Sequence, residues 1–152
     1  MGGSGGQTIS TSTGAWLSDT GVWNNNSDKQ AKTAFAPIDA QAILAKVVEL
    51  PVTTWQYKME TGTTVRHLGP MAQDFHAAFK LGANDTSIAT LDEAGVALAT
   101  IQGLNQKLEK ENAALKARLA KLEAKVATRA QTQARLDALE ARLERMFQAR
   151  AE

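Results

Sequence analysis

"DEAGVALATIQGLNQKLEKENAALKARLAKLEAKV", residues 92–126, decides the architecture. With Ile101 at a d position of a heptad, Leu108, Leu115 and Leu122 follow at d, and Asn105, Asn112, Leu119 and Val126 fall at a. The spacing predicts a nearly uninterrupted helix from about Asp92 to the end of the chain, with an apolar stripe shaped for other helices. Two asparagines in that seam fix register at some loss of stability. The pattern falters at Arg129 and Gln133. Leu136, Leu139, Leu143 and Met146 then resume a 3-4-3 spacing in another phase, as a stammer or a local break would produce. Periodicity alone leaves two strands and three both open. The last third of the chain holds one aromatic residue, Phe147, so its leucines must be buried against something else, which points to self-association.

The preceding residues read as a small α+β unit. Residues 7–26, "QTISTSTGAWLSDTGVWNNN", are rich in Thr, Ser, Gly and Asn, and predict short extended segments broken at Gly14 and Gly21. Such a segment cannot form a core alone and resembles the severed end of a larger β-rich body. A short helix is expected over "DKQAKTAF", residues 28–35. A second is expected within "PIDAQAILAKVVELP", residues 37–51, capped by Asp39 and ended by Pro51. "VTTWQYKM", residues 52–59, alternates like a strand and pairs in a hairpin with "VRHL", residues 65–68. "GPMAQDFHAAFKLG", residues 69–82, predicts a helix starting at Pro70 and stopping at Gly82, with Met71, Phe75 and Phe79 on one stripe. The expected organisation is a linker at 1–6, the end of a fibre or stalk at 7–26, an α+β domain at 27–91 and a helix forming a coiled coil at 92–152.

Composition excludes several classes of function. Seventeen Lys and Arg against sixteen Asp and Glu leave a formal net charge of +1, without the basic surplus that phosphates or an anionic membrane would require. With no cysteine, neither disulfides nor a thiolate metal site can form, and the two histidines nine residues apart make a poor metal site. No phosphate loop and no second acid/base constellation is present, so neither a cofactor nor a small-molecule substrate is expected. No apolar run is long enough to cross a bilayer, and no signal-peptide pattern appears.

Chemistry concentrates in "NNNSDKQAK", residues 24–32. In one reading Ser27 opens a capping box: its hydroxyl accepts from the Gln30 N–H, the Gln30 side chain reaches back, Asp28 suits the helix dipole and Lys32 is merely solvated. In the other, Ser27 and Lys32 form a dyad in which a desolvated lysine removes the proton from a serine nucleophile. Five residues on an α-helix amount to about 500°, which leaves the two side chains about 140° apart. Ser27 would therefore have to stand outside the helix, unlike the S-x-x-K arrangement in which one helical turn separates the pair. Ser18, also followed by Asp, has Trp23 where a base would be needed, and no cleavage is expected there. The chain could also break after Asn26 without Ser27, by cyclisation of the Asn26 side chain onto its own carbonyl, a route that replacing Ser27 by Ala would spare. His76 reads as a surface or interface residue, and the sequons at Asn25 and Asn84 as chance matches.

"SDKQAK", then "RHLGPMAQDF", then "DEAGVALATIQGL" and a coiled coil together resemble the intramolecular chaperone auto-processing domain, or peptidase S74 domain, of phage tail spikes, tail fibres and endosialidases. The resemblance covers about residues 27–115. It aligns Ser27, Asp28 and Lys32 with the family's Ser-Asp-Lys pattern, and Arg66, His67, Gly69, Ala72 and Gln73 with its R-H-x-G-x-x-A-Q block. Pro70 departs from the residue many relatives carry. The resemblance implies a homotrimer, partnered with the upstream fibre of its own chain, that cleaves itself once between Asn26 and Ser27. In this reading Lys32 is the base and His67 supports the scissile group. The alternative is a non-catalytic trimerisation cap with Ser27 only a helix N-cap. The resemblance also implies manufacture in a bacterial cytoplasm as part of a phage or prophage fibre, with release after assembly.

Overall fold

A computed structural model describes residues 6–149. Apart from Gly6, the linker expected at residues 1–6 lies outside the described residues, as do residues 150–152 of the final helical segment. The chain divides into two compact units between Leu104 and Asn105.

The first unit opens with a three-stranded antiparallel meander of β1 (Gln7–Ser10), β2 (Trp16–Ser18) and β3 (Trp23–Asn24). Ser10 pairs with Trp16, Trp16 with Asn24, and Leu17 with both Ile9 and Trp23. Its two turns share one chemistry. In the first, the Thr11 hydroxyl accepts from the Ala15 N–H at 3.0 Å and meets the Thr13 hydroxyl at 3.0 Å. In the second, the Ser18 hydroxyl accepts from the Val22 N–H at 2.9 Å and meets the Thr20 hydroxyl at 2.8 Å. Gly14 and Gly21 occupy the same position of each turn with φ of 82° and 81°, a left-handed conformation that only glycine adopts freely. Sequence reading finds the two glycines and misses the shared hydroxyl-x-Thr-Gly pattern around them.

Beyond the meander, the helix expected over 28–35 shrinks to one 3-10 turn, Lys29–Ala31, followed by extended chain. Phe35 and Ile38 are exposed on that extended stretch, and Ala34 takes a positive φ of 53°. Helix α1 (Ala40–Glu49) begins where expected, with the Asp39 carboxylate accepting from the Gln41 and Ala42 N–H groups, each at 3.0 Å. The hairpin expected next also forms: β4 (Thr53–Trp55) pairs antiparallel with β5 (His67–Gly69), with Trp55 opposite His67.

Strand β4 is shorter than its alternating pattern suggests, because the Gln56 carboxamide turns back to donate to the Glu60 carbonyl at 2.8 Å and the Thr63 carbonyl at 3.2 Å. These bonds hold a 3-10 turn, Lys58–Glu60, in the hairpin connection. Helix α2 (Ala72–Phe79) follows, with Phe75 buried and its ring 4.9 Å from that of Phe79. Its stop differs from expectation: Lys80, not Gly82, is the left-handed C-cap, with φ of 56°. The His76 Nδ1–H donates to the Leu81 carbonyl at 2.8 Å and ties down the chain just past the helix.

Helix α3 (Thr90–Gln148) completes an α+β chain in which a small hairpin unit precedes one long helix. It continues without interruption through Arg129 and Gln133, so the change of apolar phase produces no local break. Val96, Ala99 and Gly103 are its buried positions. A Cβ on Gly103 would meet the Ala40 carbonyl group, 2.7 Å from its carbon, and stand 3.1 Å from the Leu44 Cβ. The close approach to α1 therefore requires glycine. The heptad positions on α3 are exposed: Ile101, Leu108, Leu115 and Leu119, for example, each leave about half or more of their surface open.

The contrast between two glycines of this helix gives a direct check. Gly95 faces open space, so Gly95→Ala gains helix propensity and raises stability by up to about 1 kcal/mol. Gly103→Ala gains the same propensity but overpacks α1, for a net loss of about 1–3 kcal/mol, read as opposite shifts in thermal or urea unfolding midpoints.

Candidate functional site

The three asparagines that leave the meander have separate tasks. The Asn24 carboxamide donates to the Val22 carbonyl at 3.1 Å, and the Asn25 Oδ1 accepts from the Trp23 indole N–H at 3.1 Å. The Asn26 Oδ1 accepts from the Asp28 N–H at 3.2 Å, bridging over Ser27. Its Nδ2 makes a longer contact, 3.5 Å, to the Thr13 carbonyl.

Asp28, not Ser27, caps the 3-10 turn, its Oδ1 accepting from the Gln30 N–H at 2.9 Å. The capping-box reading of Ser27 is thereby replaced. Lys32 stands at the other end of the turn in extended backbone, with its N–H donating to the Lys29 carbonyl. Because Ser27 precedes the turn and Lys32 follows it, the angular separation that an α-helix would impose does not apply. The Lys32 Nζ donates to the Ser27 Oγ at 2.8 Å. Both residues are exposed in the single chain. Among the described residues, no carboxylate lies within ion-pair distance of Lys32.

Ser18, the internal control, is buried, and its hydroxyl is engaged by Val22 and Thr20 of its turn. Among the described residues, no lysine hydrogen-bonds to it.

The second block lies on the hairpin and α2. The Arg66 Nη2 donates to the Thr54 hydroxyl at 2.9 Å and the Thr54 carbonyl at 3.1 Å, fastening one strand to the other. His67 packs its ring 4.6 Å from Trp55 and 5.3 Å from Tyr57, and its Nε2 lies 3.1 Å from the Glu60 Oε2. The same carboxylate oxygen accepts from the Tyr57 N–H at 3.0 Å. Gly69 ends β5 opposite Thr53, and a Cβ there would stand 3.9 Å from the Trp55 Nε1, a buried donor without an acceptor. Gly69, Ala72 and Gln73 line one wall of a cleft of about 640 Å³. Among the described residues, no hydrogen bond joins Arg66, His67, Gly69 or Gln73 to Ser27 or Lys32. The single chain thus brings together the serine and the lysine but keeps His67 on its own carboxylate partner. No cluster of metal-ligating side chains occurs among the described residues.

Residues 27–81 match the model of the Peptidase_S74 family, chaperone of endosialidase. The match agrees with the resemblance read from the sequence, starts at Ser27 and takes in both motif blocks. It supports a chaperone role. It stops short of α3, so the third block, residues 92–104, and the heptads lie outside the matched segment. No curated protein and no solved structure gives a significant match.

The division of labour at the matched segment's first residues is measurable as stability. Asp28→Ala removes the cap and costs about 0.5–1 kcal/mol in thermal unfolding, whereas Ser27→Ala, which removes no cap, stays within about 0.5 kcal/mol of the parent.

Proposed function

We propose that this chain is the C-terminal intramolecular chaperone of a β-rich fibre or spike, which assembles as a homotrimer and then releases itself by cutting the Asn26–Ser27 bond. The observation that carries this reading is the 2.8 Å contact from the Lys32 Nζ to a Ser27 hydroxyl that has no capping duty. The family match and the start of the matched segment at Ser27 support it.

In the reaction, a neutral Lys32 amine takes the Ser27 hydroxyl proton as Oγ attacks the carbonyl carbon of Asn26. The tetrahedral centre collapses with rupture of the Asn26–Ser27 C–N bond. The proton held by Lys32 passes to the departing Ser27 nitrogen, leaving an ester between the Asn26 acyl group and the Ser27 Oγ. Water hydrolyses the ester to an Asn26 carboxylate and a free Ser27 bearing its hydroxyl and α-amine. Attack on the adjacent carbonyl is sterically local, so positioning supplies much of the acceleration. The rival cyclisation needs the Asn26 Nδ2 to turn onto its own carbonyl, whereas that nitrogen faces Thr13 and its Oδ1 is held by Asp28.

A lysine serves as a base where water is kept from it. Lys32 is exposed in the single chain, so this mechanism requires assembly to cover it. The exposed heptad row, Ile101, Asn105, Leu108, Asn112, Leu115, Leu119, Leu122 and Val126, supplies the surface for that assembly. A helix formed from local contacts can gather chains before slow, non-local β pairing begins and raise the effective concentration of the attached strands. Severing it afterwards removes the route by which the fibre would reverse and leaves kinetic stability. The exposure of Lys32 also favours the second reading, in which the same trimer is an uncut assembly cap.

Intact mass and N-terminal identity of the folded chain, beside Ser27→Ala, Lys32→Ala and Lys32→Arg, decide between them. The expected result is a new terminus at Ser27 in the parent and none in the variants, since the guanidinium of Lys32→Arg keeps the charge and cannot act as the base. Cleavage that persists in Ser27→Ala would assign the break to Asn26. A parent that stays whole while sedimenting as a trimer would establish the assembly cap.

A further inference from the structure

The first turn of the meander touches the scissile residue. Gly14 has φ of 82°, and a Cβ placed on it would lie 2.9 Å from the Asn26 Nδ2 and 3.3 Å from the Asn26 Cβ. The neighbouring Thr13 carbonyl faces the same Nδ2. On its other side the Asn26 carboxamide holds the Asp28 N–H, so the residue whose carbonyl Ser27 would attack is bounded by the upstream sheet and by the backbone just past Ser27. Both contacts are made by the side chain of one residue, and the upstream one exists only when the turn at Thr11–Ala15 has closed.

We infer that the Gly14 turn is a positioning element for self-cleavage. By seating Asn26, it makes the cut conditional on a folded meander, so that the chaperone leaves only a β end that has formed. Gly14 acts through Asn26 and touches no reacting atom. The inference rests on the Ser27/Lys32 cleavage reading and adds to it the source of its timing. A misplacement of the acyl residue by about 1 Å can slow a positioned intramolecular attack about a hundredfold.

The second turn supplies the control. Gly21 has φ of 81°, nearly that of Gly14, and nothing stands within 4 Å of a Cβ placed there. Gly14→Ala and Gly21→Ala therefore impose similar backbone strain, and only the first collides with Asn26.

The experiment follows the first-order appearance of the Ser27 terminus in the full chain. Tryptophan fluorescence at Trp16 and Trp23 reports whether the meander has folded. Gly14→Ala is expected to slow cleavage about tenfold or more, and Gly21→Ala to stay within about twofold of the parent. Asn26→Ala, which leaves both turns intact, is expected to slow cleavage about as much as Gly14→Ala does. Combining Gly14→Ala with Asn26→Gly is expected to slow cleavage little beyond Asn26→Gly alone, because without the Asn26 side chain the added methyl has nothing to displace. Equal slowing by Gly14→Ala and Gly21→Ala, additive effects in the combined variant, or parental rates in Gly14→Ala and Asn26→Ala would overturn the positioning role and leave the dyad standing. A parent that never cuts overturns both, and is told apart by the absence of any Ser27 terminus.

Discussion

The close approach of Gly103 to the Ala40 carbonyl constrains how α1 and α3 meet in the first unit. It is possible only because one helix presents a hydrogen where any other residue presents a carbon. Ala40 is also the first residue of α1, immediately after its Asp39 cap, so the carbonyl that Gly103 approaches belongs to a well-anchored turn. Val96 and Ala99 are buried on the same helix at helical spacing from Gly103, and the small-residue stripe they form fixes which side of α3 faces inward. Within the same unit Leu98 and Ile101 lie between these positions and stay exposed.

At residues 24–32 a comparable economy of position operates. Placing the cap on Asp28 frees the Ser27 hydroxyl, and ending the turn at Ala31 frees the Lys32 side chain to return to it. Had the turn continued as an α-helix, the two would have diverged around its circumference. The proximity of the pair thus depends on the brevity of the 3-10 turn. The carboxamides of Asn24, Asn25 and Asn26 settle the chain entering this region without using the serine at all.

Much of this was legible in the sequence where a feature has a local cause. Asp39 before an amphipathic run, the alternation around Trp55 and the heptads of α3 each carry their own signal, and each produced the expected element. Where competing hydrogen bonds decide, the signal was weaker. Ser27 and Asp28 are both good caps, and only the backbone path shows which is used; Gln56 reads as a strand residue until its carboxamide is seen closing the Lys58–Glu60 connection. The match of Thr11–Ala15 with Ser18–Val22 was present in the letters, but it becomes visible only once both hydroxyls are known to accept from the N–H four residues on. The R-H-x-G motif around His67 says nothing of its neighbours, and in the single chain its ring packs on Trp55 while its Nε2 faces Glu60.

Among the described residues, no large side chain is completely sealed from solvent. Heat capacity is where that would be felt. Unfolding a single chain would newly hydrate comparatively little apolar surface, so its stability would curve only gently with temperature and its melting would be broad. Covering the leucine row of α3 would bring the opposite behaviour: a large negative heat-capacity change concentrated in the encounter between chains and a driving force that weakens on cooling. Cooling would then loosen the association between chains that individually have little left to lose.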